Sequence, residues 1–255
     1  MDQQWRGDFL LALEKALERG VVAQILVLDP TSKAAEQRSL DLDNELRVSL
    51  VIADVLQTLS TFCQVMESNS SVGRLSVRVY NSLPPARLYR WDNRAISSFF
   101  PGGTGVGAEV RHYETNVTSS LGKFVDEQFD IVWGDDDTND IQEYLSLSLK
   151  LLATGHEYLT PYIVLQNVLY VTSMEVVDSL FRNAVGEAEV HVTSRYRTEG
   201  MMRLNSFTLQ TVPDNDPSAA AVCDLFARKY SGYTVVPSSM QGVLRLMKRD
   251  EAPPS

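Results

Sequence analysis

The sequence predicts an α/β domain with a mainly parallel sheet, followed by a smaller α+β domain. In the first half, helical and strand patterns follow in the order helix–strand–helix–strand–hairpin–helix, and short connections in this order favour a parallel sheet with helices on both faces. The pattern changes after GDDDTND (residues 134–140), whose charges and turn formers cannot pack in a core. We therefore predict domains at 1–134 and 161–250, an acidic linker with a connecting strand at 135–160, and a disordered tail at 251–255.

The spacing of apolar residues predicts the elements of the first domain. A first helix ends at Gly20, and the apolar run VVAQILVLDP (residues 21–30) is typical of a central parallel strand buried on both faces. Ser32 can cap the next helical region. A hairpin within residues 83–100 and a helix from about Ser120 complete the domain. The second helical region carries an apolar repeat at Ile52, Leu56, Leu59, Cys63 and Met66.

Strand patterns dominate the second half of the chain. Leucines alternate with polar residues from Leu145 to Leu151, which predicts a half-buried strand. From about Tyr162 the patterns follow the order β-α-β-β-α-β, the split arrangement of ferredoxin-like sandwiches. Because this arrangement serves many functions, it predicts architecture only.

Composition and charge limit the classes of function. A net charge of −10 argues against binding to nucleic acids or to anionic membranes, which requires a basic surface. The two cysteines, Cys63 and Cys223, lie in apolar helical patterns, so we expect buried thiols rather than a disulfide. The chain shows neither a signal-peptide pattern nor an uninterrupted apolar stretch of about 20 residues. We therefore expect a cytoplasmic protein without a membrane partner.

The hairpin carries the most specific motif of the chain. In LPPARLYRWD (residues 83–92), Pro85, Arg87 and Asp92 occupy the positions of a His-x-Lys-x-x-x-x-Asp spacing. This motif resembles that of the phospholipase D superfamily, in which the histidine is the nucleophile, the lysine grips phosphate and the aspartate closes the turn. The resemblance covers about residues 5–133 and includes the phrases ALERGVVAQILVLDP and LSVRVYNSLPPARLYRWD. It implies a phospholipase D-like lobe.

Replacement of the motif residues implies that the scaffold remains while its chemistry is lost. Pro85 has no nucleophilic side chain, whereas Arg87 can still hold an anion. Because residues two apart share one face of a strand, Arg87, Tyr89 and Trp91 lie together, on the side that faces the cleft in the family. An arginine beside two aromatic rings can bind phosphate or carboxylate and stack a planar group. The alternative is a solvated arginine beside two rings that pack against a neighbouring element.

No second catalytic motif is visible in the sequence. His112, after the glycine-rich loop, is the one candidate nucleophile, although a lone histidine on a strand is usually structural. GTGVGA (residues 103–108) fits a dinucleotide fingerprint as a string, but a strand follows it where a helix is needed, so we predict a loop over the cleft mouth. The acidic run at 135–140 lacks the EF-hand pattern, and no Cys/His cluster has metal spacing. We expect no cofactor and no metal.

Three functional hypotheses remain open. The first is a non-catalytic phospholipase D-like sensor, regulator or assembly component, for example in bacterial regulation or defence, which binds a small anionic ligand or a protein partner. The second is a phosphodiesterase or phosphoryl-transfer enzyme in which Arg87 holds phosphate and His112 attacks. The third is a scaffold subunit whose function lies in the second domain. Because family members with one motif per chain pair their lobes across a two-fold axis, the resemblance also implies a homodimer.

Overall fold

The structure is a computed structural model, and it describes residues 3–41, 48–68, 72–83, 86–99, 112–172, 187–192, 206–231 and 242–248. The chain divides into two compact units, Met1–Asp140 (unit 1) and Ile141–Ser255 (unit 2). Both units mix helices and strands, which is compatible with the predicted α/β type of fold. The predicted tail at 251–255 lies outside the described residues.

Unit 1 contains four helices and six strands among its described residues. The helices are α1 (Gln3–Glu18), α2 (Lys33–Asp41), α3 (Val48–Ser68) and α4 (Ser120–Gly134). The strands are β1 (Val22–Leu28), β2 (Arg74–Tyr80), β3 (Ala86–Trp91), β4 (Arg94–Phe99), β5 (His112–Asn116) and β6 (Asn139–Asp140).

A small three-stranded sheet in the order β1-β2-β6 forms one part of unit 1. β1 and β2 are parallel over their full length, which confirms the direction predicted for β1, and the short β6 is antiparallel to β2. Among the described strands, however, β1 has a neighbour on one side only, so the prediction of a central strand is wrong for the described part of unit 1. Its apolar residues instead follow from the burial of its carboxyl end, where Val27 and Leu28 are buried.

The hairpin strands form a second sheet, in the order β3-β4-β5. Both of its strand pairs are antiparallel. Of the four strand pairs described in unit 1, only the pair of β1 and β2 is therefore parallel. The prediction of a mainly parallel sheet is therefore wrong for the described part of unit 1. The reason is the connection between strands: β3 joins β4 through a tight turn, whereas parallel neighbours need a crossover of a dozen or more residues.

α4 packs closely on the second sheet. Its first turn is capped by Ser119, whose Oγ accepts a hydrogen bond from the Gly122 backbone N–H at 3.0 Å. A methyl group on Gly122 would collide with the backbone of Asn116 and Val117, because the helix starts directly against the end of β5. At the other end of α4, Arg78 of β2 donates a hydrogen bond to the Trp133 carbonyl at 2.6 Å. α4 thus holds both sheets of unit 1 in place.

α3 is the longest described helix, and four of the five residues of the predicted apolar repeat are buried: Leu56, Leu59, Cys63 and Met66. Ile52, the first of the repeat, is partly buried. It is also the one described helix that is long and apolar enough to cross a membrane by length and composition. A core helix passes the same test, so this property is weak support for a membrane contact.

The acidic segment after α4 is folded locally. The Asp135 carboxylate accepts a hydrogen bond from the Asp137 backbone N–H at 2.8 Å, and Thr138 Oγ1 donates one to the Val132 carbonyl at 2.7 Å. The following residues form β6, and the division between the units falls directly after Asp140. The segment predicted as part of the linker, residues 135–140, therefore belongs to unit 1.

Unit 2 consists mainly of one seven-stranded sheet in the order β8-β7-β11-β12-β13-β10-β9. Its strands are β7 (Leu147–Leu151), β8 (Glu157–Thr160), β9 (Tyr162–Leu165), β10 (Val168–Thr172), β11 (Glu187–Val192), β12 (Ser206–Thr211) and β13 (Val243–Lys248). Its described helices are α5 (Ile141–Leu145) and α6 (Ala219–Lys229). β7 has the predicted alternation of buried and half-buried residues, and with β8 it places part of the predicted linker in this sheet.

The strand order corrects the ferredoxin-like prediction. A split β-α-β unit needs parallel strands that flank a third strand. β12 and β13, which α6 connects, are instead hydrogen-bonded neighbours and antiparallel. β10 is also antiparallel to β13. The order of elements along the chain was sufficient to predict the strands, but a long connection can return to either side of a strand, so it did not determine which strands pair.

Candidate anion-binding site

The hairpin of the degenerate motif is present in unit 1. β3 and β4 pair in register from Trp91 opposite Arg94 to Ala86 opposite Phe99, which confirms the predicted hairpin. Asp92 opens its two-residue turn with a positive φ of 48°, a conformation that aspartate tolerates better than most residues. Asp92 is therefore the first of the two turn residues between β3 and β4. Pro85 lies outside the described residues.

The register of β3, β4 and β5 brings nine side chains to one side of this sheet. We call this side the outer face. It consists of three cross-strand rows: Arg87, Ser98 and His112; Tyr89, Ile96 and Glu114; and Trp91, Arg94 and Asn116.

The opposite side of the sheet packs against α4. Arg90 points to this side and forms an ion pair with Asp126 of α4. Ala95, its cross-strand neighbour, is fully buried. α4 thus covers this side of the sheet, whereas seven of the nine outer-face side chains are exposed, Ile96 is half-buried and Ser98 is buried.

The first row joins both residues that the sequence singled out for phosphate chemistry. Arg87 is the cross-strand partner of Ser98, and Ser98 is the partner of His112. Arg87 and His112 are therefore about 10 Å apart at the backbone, across two strand spacings, with their side chains on the same face. Both side chains are exposed, whereas the small Ser98 between them is buried. We call these three residues the anion row.

Ser98 orients the ring of His112. The Ser98 Oγ and His112 Nδ1 atoms are 2.6 Å apart, within hydrogen-bond distance. If the hydroxyl donates, the proton of the neutral ring is on Nε2, which then donates to an anion. If Nδ1 donates to the hydroxyl, Nε2 keeps a lone pair and can act as nucleophile or base. For the neutral ring, donation from Nε2 to an anion and attack by Nε2 thus require opposite directions of this one hydrogen bond.

The remaining rows carry the two aromatic residues predicted to line the site. Tyr89 is 53% exposed and Trp91 is 41% exposed, so each ring keeps part of its surface open to solvent. Arg94 forms an ion pair with Glu114, and its guanidinium lies 5.7 Å from the centre of the Trp91 ring. The Trp91 end of the outer face is thereby occupied by a charged cluster of the protein itself.

Sequence reasoning singled out Arg87, Tyr89, Trp91 and His112, but it did not single out Ser98, which lies between Arg87 and His112. The signal for Ser98 was present, because a two-residue turn at Asp92 fixes the hairpin register and places Ser98 opposite Arg87. Nothing in the sequence fixes the register of β5. The glycine-rich segment 103–108, predicted as a loop over the site, lies outside the described residues.

A second polar cluster lies where the parallel strands β1 and β2 end. Asp29 accepts hydrogen bonds from the backbone N–H and the hydroxyl of Thr31, both at 2.7 Å. Ser32 caps α2 as predicted, accepting a hydrogen bond from the Ala35 N–H at 3.1 Å. Nearby, burial raises the pKa of Tyr80 to about 12, partly offset by Arg38. These contacts are local, and they account for the turn from β1 into α2.

The most buried charge described in unit 2 is Lys229, at 4% exposure. Its Nζ donates a hydrogen bond to the Tyr162 carbonyl at 3.0 Å and lies 3.7 Å from the centre of the Tyr162 ring. The Tyr144 ring is 4.2 Å away on another side. Because these contacts join α5, β9 and α6, they indicate a structural role. The sequence did not single out this lysine.

The described residues contain no group of three or more histidine, cysteine or acidic side chains that could hold a metal ion. Both cysteines are free thiols, as predicted, with Cys63 buried and Cys223 partly buried. Burial, together with the nearby carboxylates of Glu67 and Asp140, raises the pKa of the Cys63 thiol to about 11. Burial likewise raises the pKa of Cys223. Both thiols are therefore poor nucleophiles at neutral pH.

Comparisons of the chain with protein-family models, with curated proteins and with solved structures gave no match.

Proposed function

We propose that unit 1 is a non-catalytic phospholipase D-like module that binds a small anionic ligand on the outer face of its β3–β4–β5 sheet. The observation that carries the proposal is the anion row. Arg87 offers a planar guanidinium that fits phosphate or carboxylate, and His112 lies on the same face with its ring oriented by Ser98. The two donors are about 10 Å apart at the backbone, so their side chains can converge on one anion.

The neutral partner of His112 supports binding rather than catalysis. A histidine that attacks phosphorus becomes positively charged, and an orienting carboxylate would stabilise that charge. Here Nδ1 contacts the Ser98 hydroxyl, which carries no charge. Proline at position 85 also removes the nucleophile at the motif position.

A binding module without catalysis can act by changing its conformation or its contacts when a ligand binds. We therefore propose a role as sensor, regulator or assembly component in the cytoplasm. A homodimer would supply the second lobe that the family uses to complete its cleft. The mass in solution, measured by light scattering, tests this part of the proposal: a monomer at working concentration would count against it.

The alternative is a phosphodiesterase or phosphoryl-transfer enzyme with atypical residues. One observation favours it: His112 is hydrogen-bonded through Nδ1, which leaves Nε2 available for attack on a phosphate held by Arg87. This mechanism requires that the His112 Nδ1–H donates to Ser98.

Two measurements on the purified full-length protein separate these functions. Isothermal titration calorimetry with inorganic phosphate should detect binding that Arg87→Ala abolishes. Bis(p-nitrophenyl) phosphate should not be hydrolysed above background. Turnover that disappears in both Arg87→Ala and His112→Ala would instead establish the enzyme and refute the non-catalytic module.

Arg90→Ala is the matched control for Arg87→Ala. Arg90 lies on the same strand but points to α4 and pairs with Asp126. The change should leave phosphate binding intact, because it removes a positive charge from the opposite face.

A further inference from the structure

We infer that the ligand of the outer face carries a planar ring next to its phosphate, as a nucleoside monophosphate does. This inference rests on the proposed function, since it takes the anion row as the phosphate site. It adds a second contact, the stacking of the ring on Tyr89.

The position of Tyr89 relative to the anion row supports the inference. Tyr89 follows Arg87 by two residues on the same face of β3, which separates their backbones by about 7 Å. This distance is comparable to that between the base and the 5′-phosphate of a nucleotide. Tyr89 is 53% exposed, and its cross-strand neighbour is the aliphatic Ile96. A ring stacked there would cover apolar surface beside the phosphate site.

The neighbouring row limits where the ring can lie. Arg94 stands over the Trp91 ring at 5.7 Å and pairs with Glu114. A ligand that stacked on Trp91 would have to displace this guanidinium. Tyr89 is therefore the aromatic surface that a ring can reach from the anion row.

Charge favours a mononucleotide over a nucleic acid strand. One row of two donors can hold one phosphate group, and the net charge of −10 repels a chain of phosphates. Stacking of a base on an aromatic side chain strengthens binding by about tenfold or more. The same phosphate chemistry occurs in non-planar metabolites, so the test must separate a planar from a non-planar phosphate ester.

The experiment measures the affinity of the full-length protein for adenosine 5′-monophosphate, glycerol 3-phosphate and inorganic phosphate by calorimetry. We expect adenosine monophosphate to bind about tenfold tighter than glycerol 3-phosphate. The ratio of these two affinities should fall to about one in Tyr89→Ala and should persist in Tyr89→Phe, which keeps the ring. Tyr113→Ala, at an exposed tyrosine on the opposite side of the same sheet, should keep the ratio of the parent.

The possible outcomes distinguish this inference from the proposed function. Equal affinities for the two phosphate esters in the parent, or an unchanged ratio in Tyr89→Ala, would overturn the nucleotide inference while phosphate binding still stands. Failure of all three ligands to bind would overturn both. Binding of adenosine monophosphate that Arg87→Ala does not weaken would also overturn the inference, because the phosphate would then lie elsewhere. Thermal melting of each variant shows that it is folded.

Discussion

Arg87 is the residue on which the proposed site depends, and its guanidinium geometry matters as much as its charge. Arg87→Lys should weaken phosphate binding, because a point ammonium cannot replace a planar fork with two parallel donors. Arg87→Glu should abolish binding by repulsion. Since the side chain is exposed, the second change should alter the unfolding free energy by only about 0.5 kcal/mol.

Thermal melting and phosphate titration of these two variants check the prediction together. A large loss of stability in Arg87→Glu, of roughly 3–5 kcal/mol, would show that Arg87 is the structural partner of a buried carboxylate. That result, with no phosphate binding by the parent, would leave the site without support.

The face on which each site residue of β3 lies could be predicted from the sequence. Alternation along β3 was sufficient to place Arg87, Tyr89 and Trp91 on one face and Arg90 on the other. The association of Arg87 with His112 could not be derived, because it depends on how β5 pairs with β4 after a long connection. A long connection between two strands leaves their register open in the local sequence.

At the scale of elements, the end of β5 and the start of α4 approach each other closely at Gly122. A methyl group at Gly122 would collide with the Asn116 carbonyl and the Val117 backbone. Neither neighbour can move without shifting the Ser119 cap. We expect Gly122→Ala to lower the unfolding free energy by about 2–4 kcal/mol.

Gly134→Ala provides the control in the same helix. No atom lies within 4 Å of the position that its added methyl group would take, and alanine is the better helix former. This change should be neutral or stabilise by up to about 1 kcal/mol. Chemical denaturation of both variants tests the contrast, and similar stabilities would contradict the packing of α4 on β5.

In unit 2, the hydroxyl of Tyr230 connects α6 with β9 and α5. It accepts a hydrogen bond from the Tyr162 N–H at 2.8 Å, and the carbonyls of Leu145 and Tyr162 are within 2.9 Å and 2.8 Å. Tyr230→Phe leaves these buried backbone groups without the hydroxyl, so we expect a loss of about 1–3 kcal/mol.

Tyr170→Phe is the comparison for this change, because the Tyr170 hydroxyl is only part-buried and lies 3.3 Å from Ser218 Oγ. It should cost less than about 1 kcal/mol in unfolding free energy. Urea denaturation measures both values. An equal effect of the two changes would argue against the structural role of Tyr230.

The elements themselves were largely predictable, whereas their arrangement was not. The apolar spacing of α3, the Ser32 cap and the alternation in β7 each report a local requirement, and each was correct. The edge position of β1 and the neighbouring positions of β12 and β13 depend on contacts between distant segments. A pattern of buried residues along one strand does not predict which strand pairs with it.

For the molecule as a whole, a buried thiol and a buried phenol make the stability of the folded state fall at high pH. The pKa of Cys63 rises from 9.0 to about 11, and that of Tyr80 rises from 10.0 to about 12, in both cases mainly through burial. The unfolded chain loses these protons first, so stability is complete below pH 9 and falls between pH 9 and 12. Allowing for partial solvent screening, we expect a loss of about 2–3 kcal/mol by pH 12.

Denaturation midpoints measured from pH 8 to 12 check this effect. Cys63→Ala should remove most of the slope between pH 9 and 11, because the remaining phenol of Tyr80 begins to ionise in the unfolded chain only near pH 10. A midpoint in the parent that stays constant up to pH 11 would contradict the burial of these groups.

The central claim is that the anion row binds phosphate, and the ring of His112 reports it directly. The chain has three histidines, so their imidazole signals can be separated by proton–nitrogen NMR. On titration with inorganic phosphate, we predict that the His112 ring signals shift and saturate, and that Arg87→Glu abolishes the shift. The signals of His156, in unit 2, should stay unchanged and serve as the internal control. Ring signals of His112 that do not move while phosphate is added to excess would contradict the account.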